Sequence, residues 1–217
     1  MIDAKIKPLK FEDSGLNRKE WNILKKLSNS KKIQDFLNSL PFNFEKNGET
    51  HHSVRQTLKS GKAHCFEGAL VAAMAMWING HRPLLLDLVT VRPDLDHVVA
   101  LFRERGQPTG GWGAISKTNH AVLRYREPVH RSVRELVMSY FHEYFLPNGK
   151  KTLRSFSKPF DLSKLNTDWI TTDQNLASLV HTLDLSPHTR ILSPKQIRNL
   201  RKVDKIEIKA GDIEEYK

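Results

Sequence analysis

The chain has 217 residues, 39% of them hydrophobic, and 35 Lys and Arg stand against 24 Asp and Glu for a formal net charge of +11. A chain of this length buries a substantial core without disulfides or metals, and one domain over residues 1–217 is expected. A single cysteine, Cys65, excludes an internal disulfide; no stretch approaches the roughly 20 apolar residues of a membrane span, and residues 1–5 carry no apolar signal region.

These features predict a cytoplasmic protein with no membrane partner. The excess of cations would attract an acidic partner. Nucleic acid is the weaker form of that expectation, because Lys and Arg are spread along the chain and not gathered in one tail.

In chain order, the first fifty residues read as two helices. Asn17 begins one, with Trp21, Leu24 and Leu27 on a stripe, and Ser28-Asn29-Ser30 interrupts it. Ser30 caps a second that runs to Leu40, with Ile33, Phe36, Leu37 and Leu40 at helical spacing, and Pro41 stops it. Both are expected to serve packing. A helical turn is placed at 54–58. From Cys65 to Ile78 the chain is apolar on almost every face, the pattern of a helix buried all round, and Asn79-Gly80 ends it.

Strands are predicted at 84–91, 98–102 and 111–116, the last after the turn Gly106-Gln107-Pro108-Thr109-Gly110, with a fourth at 121–125. Residues 132–145 form a helix with Val133, Leu136, Val137, Tyr140, Phe141 and Tyr144 on one stripe. In the polar tail, short helices are expected at 174–183 and 194–200, and the alternation Val203-Asp204-Lys205-Ile206-Glu207-Ile208 reads as an exposed strand. The organisation expected is a helical part (1–50), a core (54–146) and an extension packed on that core (147–217).

A cysteine at the start of a buried helix, followed by strands of which one opens on His97, is the order that a Cys–His nucleophilic site needs. A thiol reacts as thiolate, and a free cysteine near pKa ~8.5 is mostly protonated at neutral pH. A helix N-terminus and an adjacent imidazolium both favour the thiolate, and the free N–H groups there, that of Cys65 first, can hold an oxyanion. His97 would move the proton, and a third polar group would hold its ring. If 98–102 and 111–116 pair as a hairpin, His97 lies opposite the window Ser116 to His120. Asn119 is the first choice in that window, since its amide oxygen can accept an imidazole N–H, and Ser116 is the second.

With these pieces in order, the sequence resembles the transglutaminase-like superfamily of papain-like cysteine enzymes. The matching residues are Gly61-Lys62-Ala63-His64-Cys65, Asn79-Gly80-His81-Arg82-Pro83, Asp96-His97-Val98-Val99-Ala100 and Gly111-Trp112-Gly113-Ala114-Ile115-Ser116, within residues 54–125. The resemblance implies an α+β fold, with N-terminal helices and a Cys-bearing helix on an antiparallel sheet. It also implies acyl-transfer chemistry on protein or peptide amides, namely hydrolysis, deamidation or transglutamination, without a cofactor. Cys65 would be the nucleophile and His97 the base. The chain departs from the family at Ser116, where an aspartate is expected; either Asn119 substitutes or the site is weakened.

Other readings stand beside these. His64 is either a cleft residue or a solvent-facing cap. Trp112 is either plain core or a wall of the thiol site. Glu67 suits the first turn of a helix, and Asp96 points away from His97 along a strand. His120, His130 and His142 match no compact zinc spacing, and no metal is expected. Arg124, Arg126, Arg131 and Arg134 could steer an acidic substrate, while Lys195, Arg198, Arg201 and Lys202 read as a solvated face. Three functions remain: a thiol amidase or acyltransferase, a binding or scaffold protein that keeps the fold without catalysis, and a basic nucleic-acid-binding protein.

Overall fold

The computed structural model describes residues 6–46, 48–104 and 110–217, so the turn expected at Gly106 to Gly110 falls almost wholly outside them. Helices begin where side chains satisfy free backbone N–H groups. After a one-turn α1 (Phe11–Ser14), Asn17 caps α2 (Arg18–Lys26). Its Oδ1 accepts from Glu20 N at 2.9 Å, and Glu20 Oε2 accepts from Asn17 N at 2.8 Å. Asn29, not Ser30, caps α3 (Ser30–Ser39), by accepting from Lys32 N. α4 (Val54–Ser60) ends on Gly61 at φ 66°, a left-handed conformation that lets the chain turn into α5 (Cys65–Ile78).

The strands then build one antiparallel sheet. β1 (Leu84–Val89), β2 (His97–Arg103), β3 (Trp112–Ile115) and β4 (Arg126–His130) are adjacent in sequence order. After α6 (Val133–Phe141), the short β5 (Ser155–Ser157) and β6 (Phe160–Asp161) pair with the two halves of β1. α7 (Asp168–Thr171) and α8 (Ala177–Asp184) precede β7 (His188–Arg190), which pairs with β5. The order is β4-β3-β2-β1-β5-β7. α9 (Pro194–Arg198) and α10 (Lys205–Gly211) close the chain. The C-terminal third therefore supplies sheet, in addition to packing against it.

Alternation along the strands makes two cores. Leu85, Val98, Ala100, Phe102 and Ile115 face α5, while Leu84, Leu86, Leu88, Val99, Leu101 and Ala114 face α6. The fold is thus mixed α+β with helices on both faces of an antiparallel sheet. Every residue of α5 from Phe66 to Ile78 is buried, as the apolar run requires.

Two further sequence expectations are corrected. Residues 121–125 form no strand; β4 starts at Arg126. The tail residues expected as a strand enter helix α10, because Asp204 and Glu207 form a capping box, with Asp204 N donating to Glu207 Oε2 at 2.6 Å. Among the described residues no helix is long and apolar enough to cross a membrane.

Candidate active site

The reactive side chains collect where α5 and β2 both begin. Cys65 is the first residue of α5 and stays partly exposed. Helix geometry leaves first-turn N–H groups without an intrahelical acceptor, so the thiol lies beside free donors at the positive end of the helix dipole.

His97 is the first residue of β2 and is buried. β2 pairs Ala100 with Ile115 and Leu101 with Ala114. Continued past the end of β3, that register sets His97 across from Thr118, with Ser116 diagonal to it on the same face. His97 Nε2 and Ser116 Oγ lie 2.8 Å apart, and Ser116 Oγ donates to Leu123 O at 2.6 Å. A hydroxyl has one proton. With that proton on Leu123 O, Ser116 Oγ accepts from His97, so Nε2 carries the N–H and Nδ1 is left for the thiol.

Gln34 on α3 holds Ser116 in turn. Its Oε1 accepts from Ser116 N at 3.0 Å and its Nε2 donates to Ser116 O at 2.8 Å. Sequence reading missed Gln34; its only signal is a polar side chain beside the apolar stripe of Ile33 and Leu37.

Asn119, the first choice to orient His97, is engaged elsewhere. Its Oδ1 accepts from Tyr216 N at 2.8 Å and its Nδ2 donates to Tyr216 O at 2.9 Å. The parity of the extended register explains this, since residue 119 falls on the face opposite Ser116. Asn119 pins the C-terminal segment, which also reaches Ala121 through Ile213 O.

His64 is neither a solvent-facing cap nor a cleft residue. It is 7% exposed, its Nδ1 lies 3.9 Å from Cys65 Sγ, and its Nε2 donates to Thr50 O at 2.6 Å. Trp112 is core and not a wall of the site: it is buried on the α6 face, under the Arg103 guanidinium at 5.7 Å.

Glu67, assigned at most a dipole role, is fully buried at the centre of a polar frame. It accepts from His64 N at 3.0 Å, Asn43 Nδ2 at 3.1 Å and Thr50 Oγ1 at 3.0 Å, and it pairs with His52 at 2.8 Å. On the other side, a Cβ added at Gly68 would fall 2.5 Å from Lys117 Cβ. At Gly68 the nucleophile's helix therefore packs directly on the Lys117 side chain, one residue after Ser116.

Burial pushes the Cys65 thiol up, but hydrogen bonds from His64 and His97, and then their charges, outweigh it and hold the thiol well below the usual range. Burial pushes His64 down; its contact with Cys65, the Glu67 carboxylate and Thr50 O together raise it to about 9. Burial lowers Lys117 to about 8, against the opposing pull of Glu215.

The site opens into a cleft of about 470 Å³ lined by Cys65, His97, Lys117 and Asn119, with Phe42, Phe44, Leu95 and Tyr144 as apolar walls. Asp94, Asp96, Asp212 and Glu214 lie on the same lining. A larger hollow of about 670 Å³ between Leu165 and Thr182 contains neither Cys65 nor a histidine.

The arginines expected to steer a substrate are largely engaged in the fold. Arg124 pairs with Glu215 at 2.7 Å, Arg126 pairs with Glu143 and lies over the Tyr140 ring at 4.1 Å, and Arg134 donates to Ile191 O at 3.0 Å. Arg201 of the tail cluster pairs with Asp204 at 2.8 Å.

Glu45, His51 and His64 bring ligand-type atoms within 4.8 Å of one another. Both ring nitrogens of His64 are already engaged, by Thr50 O and Cys65 Sγ, and Glu45 Oε1 accepts from Thr50 N at 2.6 Å. Of these three residues only His51 has a buried ring nitrogen, Nδ1, without a hydrogen-bond partner. Neither a protein-family model nor a curated protein sequence matches the chain.

Proposed function

We propose that this protein is a thiol-dependent amide hydrolase or acyltransferase of the papain-like, transglutaminase-like type, acting on protein or peptide amides. The observation that carries the reading is the polarity of the chain His97–Ser116–Leu123, which commits Nε2 of His97 to donation and leaves Nδ1 for Cys65. That is the tautomer a thiol base requires.

In this reading the Cys65 thiolate attacks the amide carbonyl carbon and forms the S–C bond. Negative charge developing on the carbonyl oxygen is taken by the Cys65 N–H and its first-turn neighbours. His97 Nδ1–H protonates the leaving nitrogen as the C–N bond breaks. Water or an amine then attacks the thioester, gives its proton to His97, and the thiolate leaves. Hydrolysis and transfer differ only in which acceptor reaches the cleft.

A second reading, a binding protein on the same fold, draws on Ser116. A neutral hydroxyl orients an imidazole but offers no charge to stabilise an imidazolium. One experiment separates the two: turnover of glutamine- and lysine-bearing peptide amides, with and without a primary amine, under exhaustive chelation. Turnover that survives chelation and disappears in both Cys65→Ser and His97→Ala supports the enzyme. Tight peptide binding without turnover supports the binding protein, and activity restored only by added zinc overturns the thiol mechanism.

A further inference from the structure

Cys65 has two imidazole neighbours, and the reaction above uses one. His97 arrives from β2. His64 arrives from the residue before the nucleophile, in the extended N-cap conformation that begins α5. Its Nε2 faces the carbonyl oxygen of Thr50 at 2.6 Å, and a carbonyl only accepts, so Nε2 is a donor. Its Nδ1 is 3.9 Å from Sγ.

The surroundings suit a charged ring. Glu67 is a fully buried carboxylate 3.6 Å from His64 Nε2 and 2.8 Å from His52 Nδ1, and a buried carboxylate favours positive charge on the imidazoles beside it. His64 would complete an alternation of charge from Cys65 through the ring to Glu67. The outer nitrogen of His97 meets a neutral hydroxyl, and among the described residues no carboxylate pairs with it. The two rings are built for different work.

Resting on the thiol reading, we infer that His64 is a second catalytic imidazole: a standing imidazolium that holds the Cys65 thiolate, while His97 alone exchanges protons with the reacting amide. Through the cycle the S–C bond forms and breaks, the leaving nitrogen takes its proton from His97, the acceptor returns one to His97, and His64 keeps both of its protons. Activation of the nucleophile is thereby separated from proton transfer.

The titratable groups facing His64 are Cys65, Glu45, Glu67 and His51, and His52 pairs with the same Glu67. Those around Cys65 are His97 and Tyr144, with Asp94 and Asp96 in the cleft lining. The test is the pH midpoint of thiolate ultraviolet absorbance in wild type, His97→Ala and His64→Gln, with thermal midpoints alongside. Expected is a low midpoint in wild type and in His97→Ala, which nonetheless loses turnover. In His64→Gln the midpoint should rise by about one pH unit or more.

A wild-type midpoint in His64→Gln, with the rise appearing in His97→Ala, overturns the role of His64 and leaves the thiol enzyme standing. An ordinary thiol in wild type overturns both. Ring-nitrogen NMR of the wild-type protein guards against a His64→Gln chain that does not fold. Both His64 nitrogens protonated at neutral pH are expected, and a neutral His64 ring overturns the inference.

Discussion

The two ends of α5 are made of the same helix and do opposite things. At its start, Cys65, His64 and Glu67 sit among Asn43, Thr50 and His52, so nearly every contact is a hydrogen bond or a charge. At its finish, Trp77 stacks on Trp169 with centroids 6.4 Å apart, and Asn79 Nδ2 donates back to Ala75 O and across to Leu27 O. The apolar finish and middle anchor the helix, and that anchorage allows charged groups to be concentrated at the start. Changes at the start should therefore cost chemistry, and changes further along should cost stability.

The largest effect expected is at the polar end. Cys65→Ser should lower amide turnover by about 10⁴-fold or more while leaving the thermal midpoint in place. A matched fall in stability would break the division. Trp77→Ala is the complementary test: it should destabilise by about 3–5 kcal/mol in denaturant titration, with the thiolate midpoint of Cys65 unchanged. A shifted midpoint would show that the two ends are coupled.

Ser116→Ala sharpens the contrast within the site. Turnover should fall by about 10–100-fold, because His97 loses its orienting acceptor, but alkylation of Cys65 should keep its low-pH limb. Loss of both would mean that His97, through Ser116, sustains the thiolate.

The smallest effect concerns Lys117, packed against Gly68. Burial lowers it to about 8, below its unfolded value, so the charged form is disfavoured in the folded state. Its cost to stability is full below about pH 8 and fades as pH rises towards about 10.5, the unfolded value. Wild type should gain thermal stability over that window relative to Lys117→Met; parallel pH curves for the two proteins would contradict it.

The apolar end was easier to read in the sequence than the polar one. An unbroken run such as 66–78 allows few alternatives, and residues 84–89 and 97–103 are bounded by turn residues, so α5, β1 and β2 follow from pattern. Cys65 and His97 could be named because one opens a buried helix and the other a strand, and Ser116 because hairpin pairing restricts what lies opposite His97.

Asn119 was preferred to Ser116 on chemistry alone, and strand parity decided the matter. Gln34, Thr50 and Asn43 were out of reach for a different reason. Each meets the site across a gap in sequence that only the packed structure closes, such as the 82 positions between Gln34 and Ser116. The tail helix α10 was legible but misread: its Asp-x-x-Glu cap was present, and apolar alternation was given more weight.

The contact at Gly68 has a practical consequence. Any side chain there would wedge α5 away from Lys117, and with it shift Cys65 relative to the segment that holds His97 through Ser116. A randomised library that varies the cleft walls at Phe42, Phe44 and Leu95 can search for new substrates without touching that spacing. One that includes position 68 would mostly yield proteins whose nucleophile and base no longer meet.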